Sequence, residues 1–102
     1  MKLTIILLIA FFLSGSGYKQ YTATAYALKG RMANGRYVHK GAIAADPRIL
    51  PLGTKVHIKN MGTYTVTDTG SAIKGRRIDI WMPSKRQAIK FGRRKVHLKV
   101  LK

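Results

Sequence analysis

Thr54-Lys-Val-His-Ile-Lys59, Asn60-Met-Gly62 and Thr63-Tyr-Thr-Val-Thr67 follow one another without a break, and their reading decides the fold. Val56 and Ile58 alternate with Lys55, His57 and Lys59, the period of two that places apolar side chains on one face of a strand. The second run is built from Thr, Tyr and Val, residues that suit a pleated, half-buried surface. Asn60 and Gly62 between the two runs tolerate the left-handed backbone that a tight turn needs. The stretch therefore predicts a β-hairpin with one dry face and one wet face.

The same pattern continues on both sides. Upstream, Tyr21-Thr-Ala-Thr-Ala-Tyr-Ala27 reads as a strand, and Lys29 to Arg36 as a loop marked by Gly30 and Asn34-Gly35. Downstream, Arg76 to Met82 predicts a strand with Ile78 and Ile80 facing one way and Arg77, Asp79 and Trp81 the other. The final run, Lys95-Val-His-Leu-Lys-Val100, alternates cleanly. One short helix is expected between these two strands. Ser84-Lys-Arg-Gln87 has capping-box spacing after Pro83, Ala88 and Phe91 share a buried face, and Gly92 can close the helix. A chain of 102 residues without cysteine has a small core and no disulfide to support it. A closed barrel suits such a chain because it leaves no exposed sheet edge. The expectation is mostly β: a barrel of about six strands with one short helix near the C-terminus.

Charge narrows the function. Twenty Lys and Arg stand against three acids, a formal net charge of +17, yet 46% of residues are hydrophobic, so this is not a disordered basic tail. The absence of cysteine excludes a thiolate metal site and a cysteine nucleophile. Glutamate is also absent, so carboxylate chemistry falls to Asp46, Asp68 and Asp79. Met1-Lys2, the apolar run Leu3 to Leu13 and the small residues Ser14 to Gly17 have the form of a secretory signal. These eleven residues, ten of them apolar and the other Thr4, fall short of the roughly 20 that a spanning helix needs. Residues 1–17 are therefore read as the signal and 18–102 as the domain, in a secreted or cell-envelope protein. A surface this basic suits anionic wall polymers, with Arg76-Arg77 and Arg93-Arg94-Lys95 as a candidate rim. Nucleic acid binding would be non-specific and, for an exported protein, incidental.

Each aspartate has a structural explanation. Asp46 precedes Pro47 and could start a turn; Asp68 opens Asp-Thr-Gly and could hold it; Asp79 could pair with a nearby Arg. The last is weakest, because aspartate is disfavoured in mid-strand and Asp79 lies between two isoleucines. The glycine-punctuated loop Thr69 to Gly75 could instead return the chain so that Asp68 and Asp79 converge in a shared polar site.

Ala44-Ala-Asp-Pro-Arg-Ile-Leu-Pro-Leu-Gly-Thr54, Thr67-Asp-Thr-Gly-Ser-Ala-Ile-Lys-Gly75, Arg77-Ile-Asp-Ile80 and Ala88-Ile-Lys-Phe-Gly92 occur in this order, preceded by Thr22-Ala-Thr-Ala-Tyr26. This series resembles the three-aspartate (3D) domain. The family's fold is a double-psi β-barrel, shared with rare lipoprotein A, the expansins and the barrel of membrane-bound lytic transglycosylase A. Ser71 departs from the pattern, standing where the family usually has a second glycine.

The resemblance implies peptidoglycan as substrate and lytic transglycosylation as the reaction, cleaving the bond between N-acetylmuramic acid and N-acetylglucosamine to leave 1,6-anhydro ends. It implies Asp79 as the catalytic acid, Asp68 as a neighbour that orients substrate and raises the acid's pKa, and Asp46 completing the catalytic group. Thr24, Tyr26, Thr69, Lys74 and Trp81 would contact the glycan. The alternative is a non-catalytic, expansin-like wall-binding module. No cofactor or metal is expected, since hard cations want more oxygen donors than this chain offers, and a monomer is expected. His39, His57 and His97 are alternative proton carriers, although His57 and His97 read as outward-facing strand residues. An acid that is protonated near neutral pH amid so many cations needs burial or a second carboxylate close by.

Overall fold

The computed structural model of the chain describes residues 17–102. The segment read as an export signal therefore lies outside the described residues, apart from Gly17. Among the described residues are β1 (Lys19–Tyr26), β2 (Ala42–Ala45), β3 (Lys55–Ile58), β4 (Gly62–Asp68), β5 (Arg77–Trp81), a helix α1 (Lys85–Phe91) and β6 (Arg94–Val100). The strands close into a barrel in the order β1-β5-β2-β4-β3-β6, with β6 returning to β1. β1–β5 and β2–β4 are parallel, and the remaining four pairs are antiparallel. Two parallel pairs joined through long crossing connections give the double-psi arrangement, with one short helix near the C-terminus, as the sequence leads one to expect.

The alternation seen in the sequence builds the core. Val56 and Ile58 of β3, Ile78 and Ile80 of β5, and Val96 and Leu98 of β6 point into the barrel. They meet Tyr21 and Ala23 of β1, Val66 of β4 and Phe91 of α1. The β3–β4 hairpin forms with Val56 opposite Tyr64 and Ile58 opposite Gly62. Its turn is shaped by Asn60 at φ 67° and Gly62 at φ 113°. Asn60 is the only non-glycine residue with positive φ among the described residues. Asparagine tolerates that conformation best among side-chain-bearing residues. Ser71 thus avoids the left-handed region altogether, and the departure from the family pattern introduces no backbone strain there.

One strand is illegible from the sequence. All four residues of β2, Ala42-Ile-Ala-Ala45, are buried, and it is paired on both sides, with β4 and β5. A strand covered on both faces has no polar side, so it shows no alternation to detect. Helix α1 starts as expected, with the Ser84 side chain accepting a hydrogen bond from the Gln87 backbone N–H at 3.1 Å. The Gln87 side chain does not reach back to the Ser84 backbone; its Oε1 accepts from Ser84 Oγ at 3.3 Å. Gly92 ends the helix at φ 66° and ψ −130°, a conformation open to glycine almost alone.

Candidate functional site

β2, unseen in the sequence, brings two of the three aspartates together. Ala44 lies opposite Asp79 on the β5 side and opposite Asp68 on the β4 side. Thr24 of β1 lies opposite Asp79 on its other flank. Residues in lateral register share a face of the sheet, so Thr24, Asp79, Ala44 and Asp68 form a row across four strands on the outer side of the barrel. At the usual strand spacing the two aspartate Cα atoms are about 10 Å apart with only a methyl group between them. This leaves the carboxylates close enough to interact through space without a shared hydrogen bond.

A β-bulge makes the row possible. The β2–β4 register pairs Ile43 with Val66 and then Ala44 with Asp68, so Thr67 is skipped. Regular pairing would set Thr67 opposite Ala44 and turn Asp68 towards the core side. The extra residue re-aims Asp68 to the outer face, a use of bulges that recurs beside functional sites. Thr67 is buried instead, its hydroxyl donating to the Met32 sulfur at 3.0 Å.

The two carboxylates have different surroundings. Asp68 accepts from the backbone N–H groups of Ala33 (3.0 Å) and Thr69 (2.9 Å) on Oδ1, and from the Tyr26 hydroxyl (3.5 Å) on Oδ2. The loop from Gly30 to Val38 is thereby fastened over the end of β4. Asp79 Oδ1 accepts from Thr24 Oγ1 at 2.9 Å, and its Oδ2 accepts no hydrogen bond among the described residues. Burial pushes the Asp79 carboxyl above the usual carboxylate value, and the Asp68 charge adds to this. The Thr24 hydrogen bond and Arg77 act against the rise without reversing it. Burial first and the Asp68 charge next also push the Tyr26 hydroxyl well up, with Asp79 contributing. Tyr26 is thus a neutral hydrogen-bond donor facing both acids.

Asp46 is engaged elsewhere. It is 1% exposed and accepts from Arg48 Nε (3.0 Å), Arg48 Nη2 (2.7 Å), the Arg48 backbone N–H (3.0 Å) and the Gly75 backbone N–H (2.9 Å). It follows β2 directly and ties the loop preceding β5 to the turn over 46–50, so it sets the positions of the strands that carry the row. The Arg48 hydrogen bonds and then the Gly75 N–H hold its carboxyl far below the ordinary range. A carboxylate with a depressed folded pKa stabilises the fold above its unfolded value of about 4, and this is lost as pH falls through the folded value. Asp46→Asn is accordingly expected to lower the urea midpoint at pH 7, with the gap from wild type closing only in strong acid. Equilibrium urea curves between pH 2 and 7 check this.

The expected glycan contacts divide. Thr24 and Tyr26 touch the acids directly. Thr69 contributes its backbone N–H to Asp68, and its side chain is exposed. Lys74 is exposed and forms no ion pair with either acid among the described residues. Trp81 lies on the same strand face as Asp79, half-buried, with its indole N–H bonded to the Leu28 carbonyl at 3.0 Å. Two grooves flank α1. One of about 460 Å³ includes Tyr64, Trp81, Met82 and Phe91, and one of about 570 Å³ includes Thr24, Tyr26, Leu28 and Ile89. Neither is lined by Asp68 or Asp79; the second groove approaches the acids through Thr24 and Tyr26, which hydrogen-bond to them. No cluster of three or more His, Asp or Glu side chains suited to a metal occurs among the described residues. The sequence reading missed Ala44 as the spacer, the Ala33 N–H on Asp68, and Arg48 as the partner of Asp46.

A closed six-stranded barrel with an aspartate pair across β4, β2 and β5 defines the class. The chain belongs to the 3D domain family, whose model matches residues 41–102. It is 40% identical over 92 residues, 90% of this chain, to YabE of Bacillus subtilis, whose name describes cell wall shaping. It is 42% identical over 85 residues, 79% of this chain, to the cell wall-binding protein YocH of the same organism. The chain spans only 21% and 30% of the lengths of these relatives. Among solved structures, the crystal structure of MltA from E. coli superposes with a TM-score of 0.58 at 22% identity, covering 72% of this chain and 27% of that one. A second MltA structure, with bound chitohexaose, gives 0.53 at 21% identity, covering 74% and 29%. At these identities the likeness is one of fold.

Proposed function

We propose that this protein acts on the glycan strands of the bacterial cell wall as a lytic transglycosylase, outside the cytoplasm, with Asp79 as the acid. The observation that carries the reading is the row Thr24, Asp79, Ala44, Asp68, in which one carboxyl is pushed up by burial beside a second that already accepts hydrogen bonds on both oxygens. Such a split between neighbouring acids is how one site assigns an acid role and an electrostatic role. The names of the two Bacillus relatives support the cell wall as target.

In this reading Asp79 gives its proton to the oxygen leaving C1 of N-acetylmuramic acid, and the C1–O bond breaks. Positive charge developing on the ring faces the Asp68 carboxylate. The sugar's 6-hydroxyl then bonds to C1, and its proton passes to the Asp79 carboxylate, which restores the acid. No water is consumed, so a single acid serves both steps. Tyr26 and Thr24 hold the two carboxylates by their hydroxyls.

A second reading, a wall-binding module without catalysis, is favoured by one feature: the acids line neither of the two grooves flanking α1. One experiment separates the two. The purified protein is incubated with peptidoglycan, and the products are analysed by mass spectrometry. Anhydromuramic ends are expected from the enzyme; wall sedimentation without such ends would leave the binder.

The Asp68 charge also sets a pH dependence. Removing it takes away one cause that raises the Asp79 carboxyl. Asp68→Asn is expected to move the alkaline limb of the activity profile to lower pH, because the acid loses its proton sooner. A limb that stays in place in the variant would dissociate Asp68 from the acid.

A further inference from the structure

The row above has a cationic neighbour on the same outer face. One register step down β1 and β5, Thr22 lies opposite Arg77 on one side and Lys95 of β6 on the other. Lys95 Nζ donates to Thr22 Oγ1 at 2.9 Å, which draws the ammonium in over the strand and leaves the hydroxyl's own proton available. Arg77 Nε is buried, yet it has no hydrogen-bond partner among the described residues. A buried polar N–H of this kind is costly and calls for an acceptor. Thr22, Arg77 and Lys95 thus lie side by side in one row of the sheet, about 7 Å along the strands from Asp79. No acid among the described residues forms an ion pair with either cation.

We propose that Thr22, Arg77 and Lys95 form a carboxylate-binding subsite beside Asp79, which selects glycan strands bearing an acidic substituent over neutral ones. This rests on the reading of the barrel as a wall-glycan protein and specifies which glycan it takes. The fork of Arg77 donors suits a planar carboxylate, with Lys95 as the second charge and Thr22 as a neutral donor. A glycan lying along β1 and β5 would meet Asp79 and this spot in succession. In wall glycan the carboxylate can belong to the lactyl group of the sugar or to an attached peptide. The sugar's own carboxylate is the nearer match, because the subsite lies only one register step from the acid.

A carboxylate seated here would also neutralise Arg77, which in the free protein acts to lower the Asp79 carboxyl. The ligand's own charge would then help keep the acid protonated.

The test compares binding of three probes at fixed ionic strength: peptide-stripped peptidoglycan glycans, glycans still carrying peptides, and neutral chitohexaose. Wild type is expected to prefer the stripped glycans over chitohexaose roughly tenfold, the scale of a charge-assisted hydrogen bond. Arg77→Gln and the exposed Lys95→Gln should each bring that ratio towards one. Arg86→Gln, which removes a charge from the exposed side of α1, should leave the ratio unchanged. A ratio that falls equally in Arg86→Gln would overturn the subsite in favour of general charge attraction. Equal affinity of wild type for stripped glycan and chitohexaose would overturn it while leaving the wall-glycan reading intact. Binding to none of the probes would overturn both. Preference for the peptide-bearing glycans would retain a carboxylate subsite but overturn the sugar as its source.

Discussion

Asp79→Asn is expected to abolish anhydromuramic products and, at neutral pH, to give a protein more stable than the parent. The first effect follows from the role proposed for the side chain. The amide cannot deliver the proton to the leaving oxygen or take one from the 6-hydroxyl, and acid–base groups of this kind contribute roughly 10²–10⁴-fold each. Because one residue serves both steps, the loss should be at least about a thousandfold. The second effect follows from the raised carboxyl. A folded pKa above the unfolded value means the folded state binds the proton more tightly, so stability falls as pH rises from below about 4 through the folded value. Above the unfolded value wild type must either bury the charge or take up a proton on folding, a cost that asparagine does not carry, and Thr24 can still donate to the amide oxygen. Thermal melts at pH 7 and pH 3 should show the variant ahead at pH 7 and the gap reduced at pH 3. An inactive variant that is also less stable at pH 7 would place Asp79 in the framework of the fold instead.

Ile78→Ala is expected to cost about 3–5 kcal/mol, at the upper end for core truncations. Ile78 is fully buried, and its register partners are Ala23 on β1 and Ala45 on β2. The substitution would leave three alanines side by side across the barrel, with no larger side chain directly flanking the gap on β1 or β2. Cavity size governs the penalty when the surroundings cannot collapse. A domain of this size holds only about 5–10 kcal/mol in total, so a substantial unfolded fraction should be present near physiological temperature. Urea denaturation with an unchanged m value checks the assignment, and a loss below about 1.5 kcal/mol would mean that the barrel repacks. Activity should fall with stability, since Ile78 precedes the acid on the same strand.

Strand type and strand face were legible wherever one side of the strand meets water. The alternation at Val56 and Ile58, at Ile78 and Ile80, and at Val96 and Leu98 assigned the core residues of β3, β5 and β6 correctly. The helix was equally readable, because Ser84 and Gly92 carry its start and stop signals in their own chemistry. β2 was not readable, since an alanine-rich strand buried on both faces has no contrast from one residue to the next.

The candidate site divides along the same line. The available groups can be read directly from the chain: three aspartates with no glutamate or cysteine, within a family pattern. Their arrangement depends on how distant strands pair. Asp68 and Asp79 belong to strands that are not neighbours, and they come into one row because β2 runs between them and a bulge at Thr67 turns Asp68 outward. Asp46 is drawn away by Arg48 and Gly75, the latter 29 positions along the chain. Register and bulge arise from pairing between distant segments. A run of residues fixes which faces are apolar, but the free energy that selects one pairing over another depends on the partner strand.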